Sequence, residues 1–298
     1  MSIPYQRDDS FEYGRIQKLT PMVRRLVARN PSAFTFHGTG TYIIGHGQVA
    51  VIDPGPDLPE HIDALLEALA GETITHLLVT HTHRDHSPAC RAVQAASGAP
   101  TYGFGRHGAG RYERGEQVEE GGDMEFVPDR EVRHGDIIEG LDWRLESVYT
   151  PGHTSNHVCY RFPAEQSLFS GDHVMAWSTS IISPPDGDMG RYLDSLELLL
   201  KGNDQKYWPT HGPCVLDPKP FVRAYIEHRL KRLDQILRCL GDGLGSIAAM
   251  VPLMYSELPR SMYPAAAHSV LASLIYLYEA ERIGCNQTPG INAEFYLR

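Results

Sequence analysis

The sequence has little that would mark a secreted, membrane-spanning or disulfide-built protein. It contains no run of about 18 or more apolar residues, which argues against a helical membrane span. The first fifteen residues, Met1 to Arg15, mix Arg, Asp, Glu and Gln without an apolar stretch, so no secretory leader is expected there. Cysteines number only five, at 90, 159, 214, 239 and 285, and none forms a C-x-x-C pair. An odd, scattered set fits a reduced cytoplasmic protein whose cysteines pack as small hydrophobes, rather than a disulfide framework. Excess positive charge is missing too: the net charge is −10. From Phe221 onward 8 Lys and Arg face 7 Asp and Glu, whereas the preceding residues carry 19 against 30. So acidic an N-terminal part disfavours tight nonspecific binding to phosphate backbones. No internal repeat or low-complexity tract is visible.

What is present is an ordinary globular composition, 42% hydrophobic and 21% charged over 298 residues, enough for one large domain or two unequal ones. Short apolar runs bounded by turn residues predict strands at Thr41–Gly45, Gln48–Asp53, Ile74–Thr80, Arg144–Thr150, His157–Phe162 and Ser167–Ser170. Helical patterns interleave at Leu58–Ala70 and at Ser87–Ser97, where Ser and Pro make a favoured cap and first turn. Strands mixed with helices in this order predict an α/β layered domain. Residues 104–135 turn Gly-, Arg- and Glu-rich and read as an insertion near the mouth of a site, with a plain surface excursion as an equal alternative. Beyond Pro213 the pattern becomes helical, over Pro218–Leu240, Ser246–Tyr255 and Tyr263–Ile283, which places a domain boundary near residue 217: residues 1–217, then 218–298.

Fifteen histidines are many, and their positions matter more than their number. His81-Thr82-His83-Arg84-Asp85-His86 follows directly on the strand-like Leu77-Leu78-Val79-Thr80. Strand ends present side chains at a sheet edge, and an alternating H-x-H can aim two imidazoles the same way. Three further strand-to-turn junctions carry candidate ligands: Thr150-Pro151-Gly152-His153, Leu168-Phe169-Ser170-Gly171-Asp172 and Trp208-Pro209-Thr210-His211. Imidazole and carboxylate donors suit Zn²⁺, with manganese and iron accepting similar sets.

The ordered set Asp53, H-x-H-x-D-H, His153, Asp172 and His211 resembles the metallo-β-lactamase superfamily over roughly residues 20–215. The resemblance implies an αβ/βα four-layer sandwich with two metal ions at one edge. It implies that His81, His83 and His153 hold one ion, that Asp85, His86 and His211 hold the other, and that Asp172 bridges both. Asp85 and Asp172 then stand at the reacting centre, and Asp53 orients the ligand loop. Two cations about 3.5–4 Å apart lower the pKa of a shared water and polarise the bond under attack, so a metal-dependent hydrolase using a bridging hydroxide is implied. His157 resembles a family position near the site, with simple loop packing as the alternative. His173 is read as structural, Cys214 as packing, and the His228-Arg229, Lys231-Arg232 run as a solvated helix face.

The helical C-terminal part resembles the small winged-helix-like domain of one branch, the β-lactamase-like protein 2 group, whose animal members are mitochondrial single-strand RNA endonucleases. The chain departs from that branch at Gly40, where the branch commonly has Asn, and in the 104–135 insertion. Three functions follow as expectations: a hydrolase of single-stranded RNA, a thioester or ester hydrolase of the hydroxyacylglutathione or acyl-CoA type, and a non-catalytic module that binds a partner or nucleic acid. A small-molecule or RNA substrate, no membrane contact and a homodimer complete the expectations.

Overall fold

The computed structural model describes residues 3–110 and 121–298. Two sheets form because short strands rich in Val, Ile and Tyr alternate their side chains between two apolar environments. One sheet runs in chain order through β1 (Gln17–Lys18), β2 (Val23–Val27), β3 (Gly40–Ile44), β4 (Gln48–Ile52), β5 (Thr73–Leu78), β6 (Thr101–Gly103) and β7 (Arg130–Glu131). Neighbours are antiparallel up to β4 and parallel from β4 to β7. The other holds β8 (Ile137–Glu139), β9 (Arg144–Tyr149), β10 (Val158–Phe162), β11 (Ser167–Gly171), β12 (Lys206–Pro209) and β13 (Val215–Leu216), again with sequential neighbours paired.

The alternation along β3 shows how the layers arise. Tyr42 and Ile44 face the second sheet, where they meet Tyr160, Phe162 and Phe169, while Ile43 faces outward. That outer side packs on α1 (Pro59–Ala68) and α2 (Cys90–Ser97) through Ile62, Leu65 and Val93. The far side of the second sheet is covered by α3 (Met189–Leu200) and by the first half of α4 (Pro218–Gly241), through Tyr192, Leu196, Phe221 and Tyr225. The result is the four-layer αβ/βα sandwich expected from the sequence.

With 24 residues, α4 spans about 36 Å. Its second half leaves the sandwich and buries Leu233, Ile236 and Leu240 against α5 (Ile247–Met254), α6 (Tyr263–Glu279) and a hairpin of β14 (Ile283–Cys285) and β15 (Phe295–Leu297). Two apolar cores therefore share one helix. No helix among the described residues is long and apolar enough to cross a membrane.

The predicted strands and most helices lie where the sequence placed them, with three differences. α2 begins at Cys90 rather than Ser87, because the Ser87 hydroxyl donates to Asp123 Oδ2 at 2.7 Å and residues 84–86 are still turning. α6 ends at Glu279, and the chain reverses at Glu281 (φ 56°) to let Ile283 open β14. α3, which the sequence reading omitted, is capped by Asp188, whose carboxylate accepts from the Arg191 amide at 3.0 Å.

α1 carries a buried histidine with a measurable consequence. The Nε2 of His61 lies 2.9 Å from Thr41 Oγ1 and 3.1 Å from the Pro54 carbonyl. Burial pushes this imidazole down to about 4, against an upward pull from Pro54. An unfolded histidine titrates near ~6.5, so between those values the unfolded chain binds a proton that the folded chain does not. Stability contributed by neutral His61 is complete above that upper value and is lost as pH falls towards the lower, by about 3 kcal/mol. Urea unfolding of His61→Gln should show a flatter acid limb across this window; an unchanged limb would reject the assignment.

Candidate active site and metal centre

The ends of five strands, drawn from both sheets, converge at one edge of the sandwich. β4 ends on Asp53, β5 leads into His81, β9 into His153, β11 into Asp172 and β12 into His211. Local backbone chemistry permits the tight turns. Gly152 adopts φ 138° immediately before His153, and a Cβ there would lie 2.4 Å from the Tyr192 amide nitrogen. Gly152→Ala should therefore combine backbone strain with overpacking and cost about 3 kcal/mol. Chemical denaturation measures this, and a loss below ~1 kcal/mol would show that α3 can yield.

Seven side chains meet at this edge. The Nε2 atoms of His81 and His153 lie 2.9 and 3.1 Å from His83 Nδ1, so three ring nitrogens point at one spot. Asp85, His86 and His211 form a second trio, with His211 Nε2 3.1 Å and His86 Nε2 3.4 Å from Asp85 Oδ2. The Asp172 carboxylate reaches both trios: Oδ2 lies 3.6 Å from His86 and 3.7 Å from His153, and Oδ1 lies 3.4 Å from His211. His86 Nε2 and Asp172 Oδ1 are buried and have no hydrogen-bond partner among the described residues. Converging imidazoles and carboxylates, with donor atoms left orphaned in the interior, are what a cation site needs, and the residues fit a metal.

The electrostatics agree with a cation-binding site. Burial opposes ionisation of Asp85 and Asp172, but the neighbouring His86 and His211 outweigh it and hold both carboxylates well below the usual range. Burial likewise disfavours a charged His211, yet Asp172 and Asp85 push it up to about 10.

A surrounding set of hydrogen bonds aims the ligands. Asp53, 1% exposed at φ 48°, accepts from the Thr80 amide (2.8 Å), the Thr80 hydroxyl (2.7 Å), His86 Nδ1 (2.9 Å) and Thr210 Oγ1 (3.1 Å). This orients His86 and ties the β5 and β12 ends together. His153 Nδ1 contacts the Ile181 carbonyl at 2.6 Å and His211 Nδ1 the Gly38 carbonyl at 3.1 Å, which leaves each Nε2 aimed inward.

Sequence reasoning missed several of these supports. Thr39 donates to Asp85 Oδ2 at 3.1 Å and is itself held by Asn30 through two bonds of 2.9 Å. The Ser180 hydroxyl contacts the Asp172 carbonyl at 2.5 Å and the His173 carbonyl at 2.9 Å, and the Ser180 carbonyl accepts from Arg229 on α4. A short polar residue directly before the apolar run that opens β3 was a usable signal for Thr39. Nothing in the sequence pointed to Arg229.

The remaining histidines separate. His157 sits behind His81, rings 5.1 Å apart, with Nδ1 2.9 Å from Thr150 Oγ1, and it belongs to neither trio. His173 is buried against Tyr192 at 4.5 Å, turned away from the ligands. Cys214 packs at the edge of the core, and burial pushes its thiol up to about 12, so it is no nucleophile at neutral pH. The reading of the His228 to Arg232 run as a solvated face is corrected: Arg229 is 5% exposed, and His228 and Arg232 line a cavity, because this turn of α4 faces the loop 175–181. Of the 104–135 insertion, Gly121 and Gly122 reach the site edge, pairing with Arg84 and His83, while residues 111–120 lie outside the described residues. Gly40 lies off the cavity, where its amide donates to the Thr210 carbonyl at 2.8 Å.

Above the seven side chains opens a cavity of about 970 Å³, walled by Phe34, Met175, Ile181, Pro184 and Pro185, with Arg84 and His268 near its rim. Comparison with known proteins agrees with this geometry. The family model described as the metallo-beta-lactamase superfamily matches residues 35–211, and that of the beta-lactamase associated winged helix domain matches residues 246–284. A Drosophila melanogaster protein named beta-lactamase-like protein 2 homolog is 32% identical, covering 95% of this chain and 96% of its own length. An Aspergillus chevalieri protein named atrochrysone carboxyl ACP thioesterase is 28% identical, over 83% of this chain and 75% of its own. Among solved structures, a beta-lactamase domain protein from Burkholderia ambifaria superposes with a TM-score of 0.78 at 19% identity, covering 98% of this chain and 96% of the other.

Proposed function

The chain belongs to the metallo-beta-lactamase superfamily of metal-dependent hydrolases, and on that premise we propose that it is a two-ion hydrolase of acyl thioesters and esters. One observation carries the choice of substrate: the cavity over the ligands is walled by Phe34, Met175, Ile181, Pro184 and Pro185, which suits an apolar acyl group. In this reading His81, His83 and His153 would hold one ion, Asp85, His86 and His211 would hold the second, and Asp172 would serve both. Zinc is the first candidate, with manganese or iron accepted by the same donors. When bound, such a pair makes a nucleophile from water near neutral pH and polarises the carbonyl under attack. The apolar wall desolvates the acyl chain, Asp53 and the Gly38 and Ile181 carbonyls keep the imidazoles aimed, and the two carboxylates offset the added positive charge. A thiol with a pKa near ~8.5 leaves as thiolate, so the chain need not supply a strong acid to the leaving group.

The same reading divides the chain, in the cytoplasm, into a catalytic body, residues 1–217, and a C-terminal part, residues 218–298, whose first helical turns stay packed on that body and whose remainder carries the winged helix. A second reading, cleavage of single-stranded RNA, is favoured by the likeness along 95% of the chain to a protein named beta-lactamase-like protein 2 homolog.

The test uses zinc-loaded protein, S-butyryl-N-acetylcysteamine with thiol detection, and a labelled single-stranded RNA in parallel. Thiol release that a chelator and Asp172→Asn abolish is the expected result. Cleavage of the RNA alone would transfer the proposal to the second reading.

A further inference from the structure

A second cavity, of about 560 Å³, lies between α4, α6, the end of α5 and the loop 175–181. Phe34, Met175 and Ile181 line both this space and the reaction cavity, so the two share a wall. Nothing in the hydrolytic centre accounts for its chemistry. Its charged lining is Arg229 and Arg232 against a single exposed carboxylate, Glu257. His228, beside them, is pushed down to about 4 by burial and by Arg229, Arg232 and Lys231, so it is neutral and adds no charge.

The two guanidinium groups are only partly satisfied. Arg232 Nη1 donates to the Met254 carbonyl at 2.6 Å and to Gln235 Oε1 at 2.8 Å, with the group 4.3 Å above the Tyr255 ring. Its Nε, and that of Arg229, are buried with no hydrogen-bond partner among the described residues. Both Nε atoms are sealed off from the cavity, so what an anion there meets is the charge of Arg232, opposed in the lining only by the exposed Glu257. A partly buried cation without a counter-ion is costly, and an oxyanion offsets that cost. Leu253, Met254, Met262 and Ala266 give part of the wall an apolar surface suited to methylene groups, beside the polar Ser178, Thr179, Ser256 and Ser269.

We propose that this cavity is a substrate subsite, in which an oxyanion carried on an arm away from the reacting carbonyl pairs with Arg232. It deepens the acyl-thioester reading and rests on it. Phosphate on the thiol side and carboxylate on the acyl side share this chemistry. A nucleic-acid strand does not suit it, because α4, α6 and the loop close the space on several sides.

Calorimetric titration of the full-length, zinc-loaded protein tests this without turnover. The probes are two pairs of non-hydrolysable thioethers: phosphopantetheine against pantetheine, and a glutaryl against a butyryl arm. One charged member should bind roughly tenfold tighter than its neutral partner, and the pair that does so identifies the side carrying the charge. Arg232→Gln should abolish the difference and leave the neutral probe unchanged. Leu253→Glu, at a rim position 62% exposed where folding is unaffected, should abolish it by repulsion. Equal affinities within both pairs, or a preference that survives both variants, would overturn the proposal. So would an oligouridylate that displaces the preferred probe and depends on Arg232. Failure of the thioester reading alone would look different: no thioester hydrolysed, with the binding preference intact.

Discussion

Replacing Asp172 by asparagine is expected to lower hydrolysis by about a thousandfold or more, equivalent to roughly 4 kcal/mol of transition-state stabilisation. The substitution keeps the shape of the side chain and removes its charge. Among the described residues Asp172 is the one carboxylate with oxygens near both trios, within 3.7 Å of His153 and 3.4 Å of His211. Losing that charge weakens both halves of the centre together, so the ion content of the purified protein should fall along with turnover. The fold should survive, because the apolar cores do not involve Asp172, and far-ultraviolet circular dichroism should be unchanged. His83→Ala, which empties only the first trio, should likewise abolish turnover while leaving a second ion detectable. A fully active Asp172→Asn protein carrying two ions would sink the ligand assignment.

The second large effect is expected far from the ligands in sequence. Arg229→Leu should weaken metal binding by about 10–100-fold, the range seen when a group that aims a ligand is lost. Arg229 donates to the Ser180 carbonyl and sits 5.2 Å from the centre of the Tyr192 ring. Ser180 in turn holds the Asp172 carbonyl, and its neighbour Ile181 holds His153. One guanidinium thus steadies the backbone behind His153 of the first trio and behind Asp172, which reaches both. Leucine would leave a buried carbonyl unpaired and cost roughly 2–3 kcal/mol of stability as well. Competition with a metal-responsive dye reads the first effect and urea unfolding the second. Arg229→Lys, which keeps the charge but not the planar fork, should recover only part of the affinity. Unchanged affinity in both variants would show that the loop holds itself.

The candidate ligands stood out in the sequence because they cluster in the turns that follow strands, which short apolar runs announce. Asp172 and His211 lie one and two residues past β11 and β12, His153 four past β9, and the H-x-H-x-D-H run begins three past β5. The layered fold was legible for the same reason. What lay hidden depends on contacts across long stretches of chain. Ser180 and Arg229 are 49 residues apart and carry no local pattern. The turn at Asp85-His86 delayed α2 because Ser87 found a partner in Asp123 rather than capping a helix. The basic turn of α4 read as solvated because charge runs usually are, and only the docking of the loop 175–181 buried Arg229.

The helix shared by the two cores also bears on the order in which the protein matures. A chain leaves the ribosome from its N-terminus, at about 5–20 residues per second, and parts that fold alone do so as they emerge. Every ligand is present once His211 is made, yet Tyr225 and Arg229, which brace the loop between Asp172 and α3, come later on α4. The second half of α4 has no apolar partner until α5, α6 and the closing hairpin exist. A nascent chain stalled before Pro218 should therefore take up zinc more weakly than one released complete, which binding to ribosome-arrested chains would measure. Metal capture is then expected late in biosynthesis, once the C-terminal part has arrived.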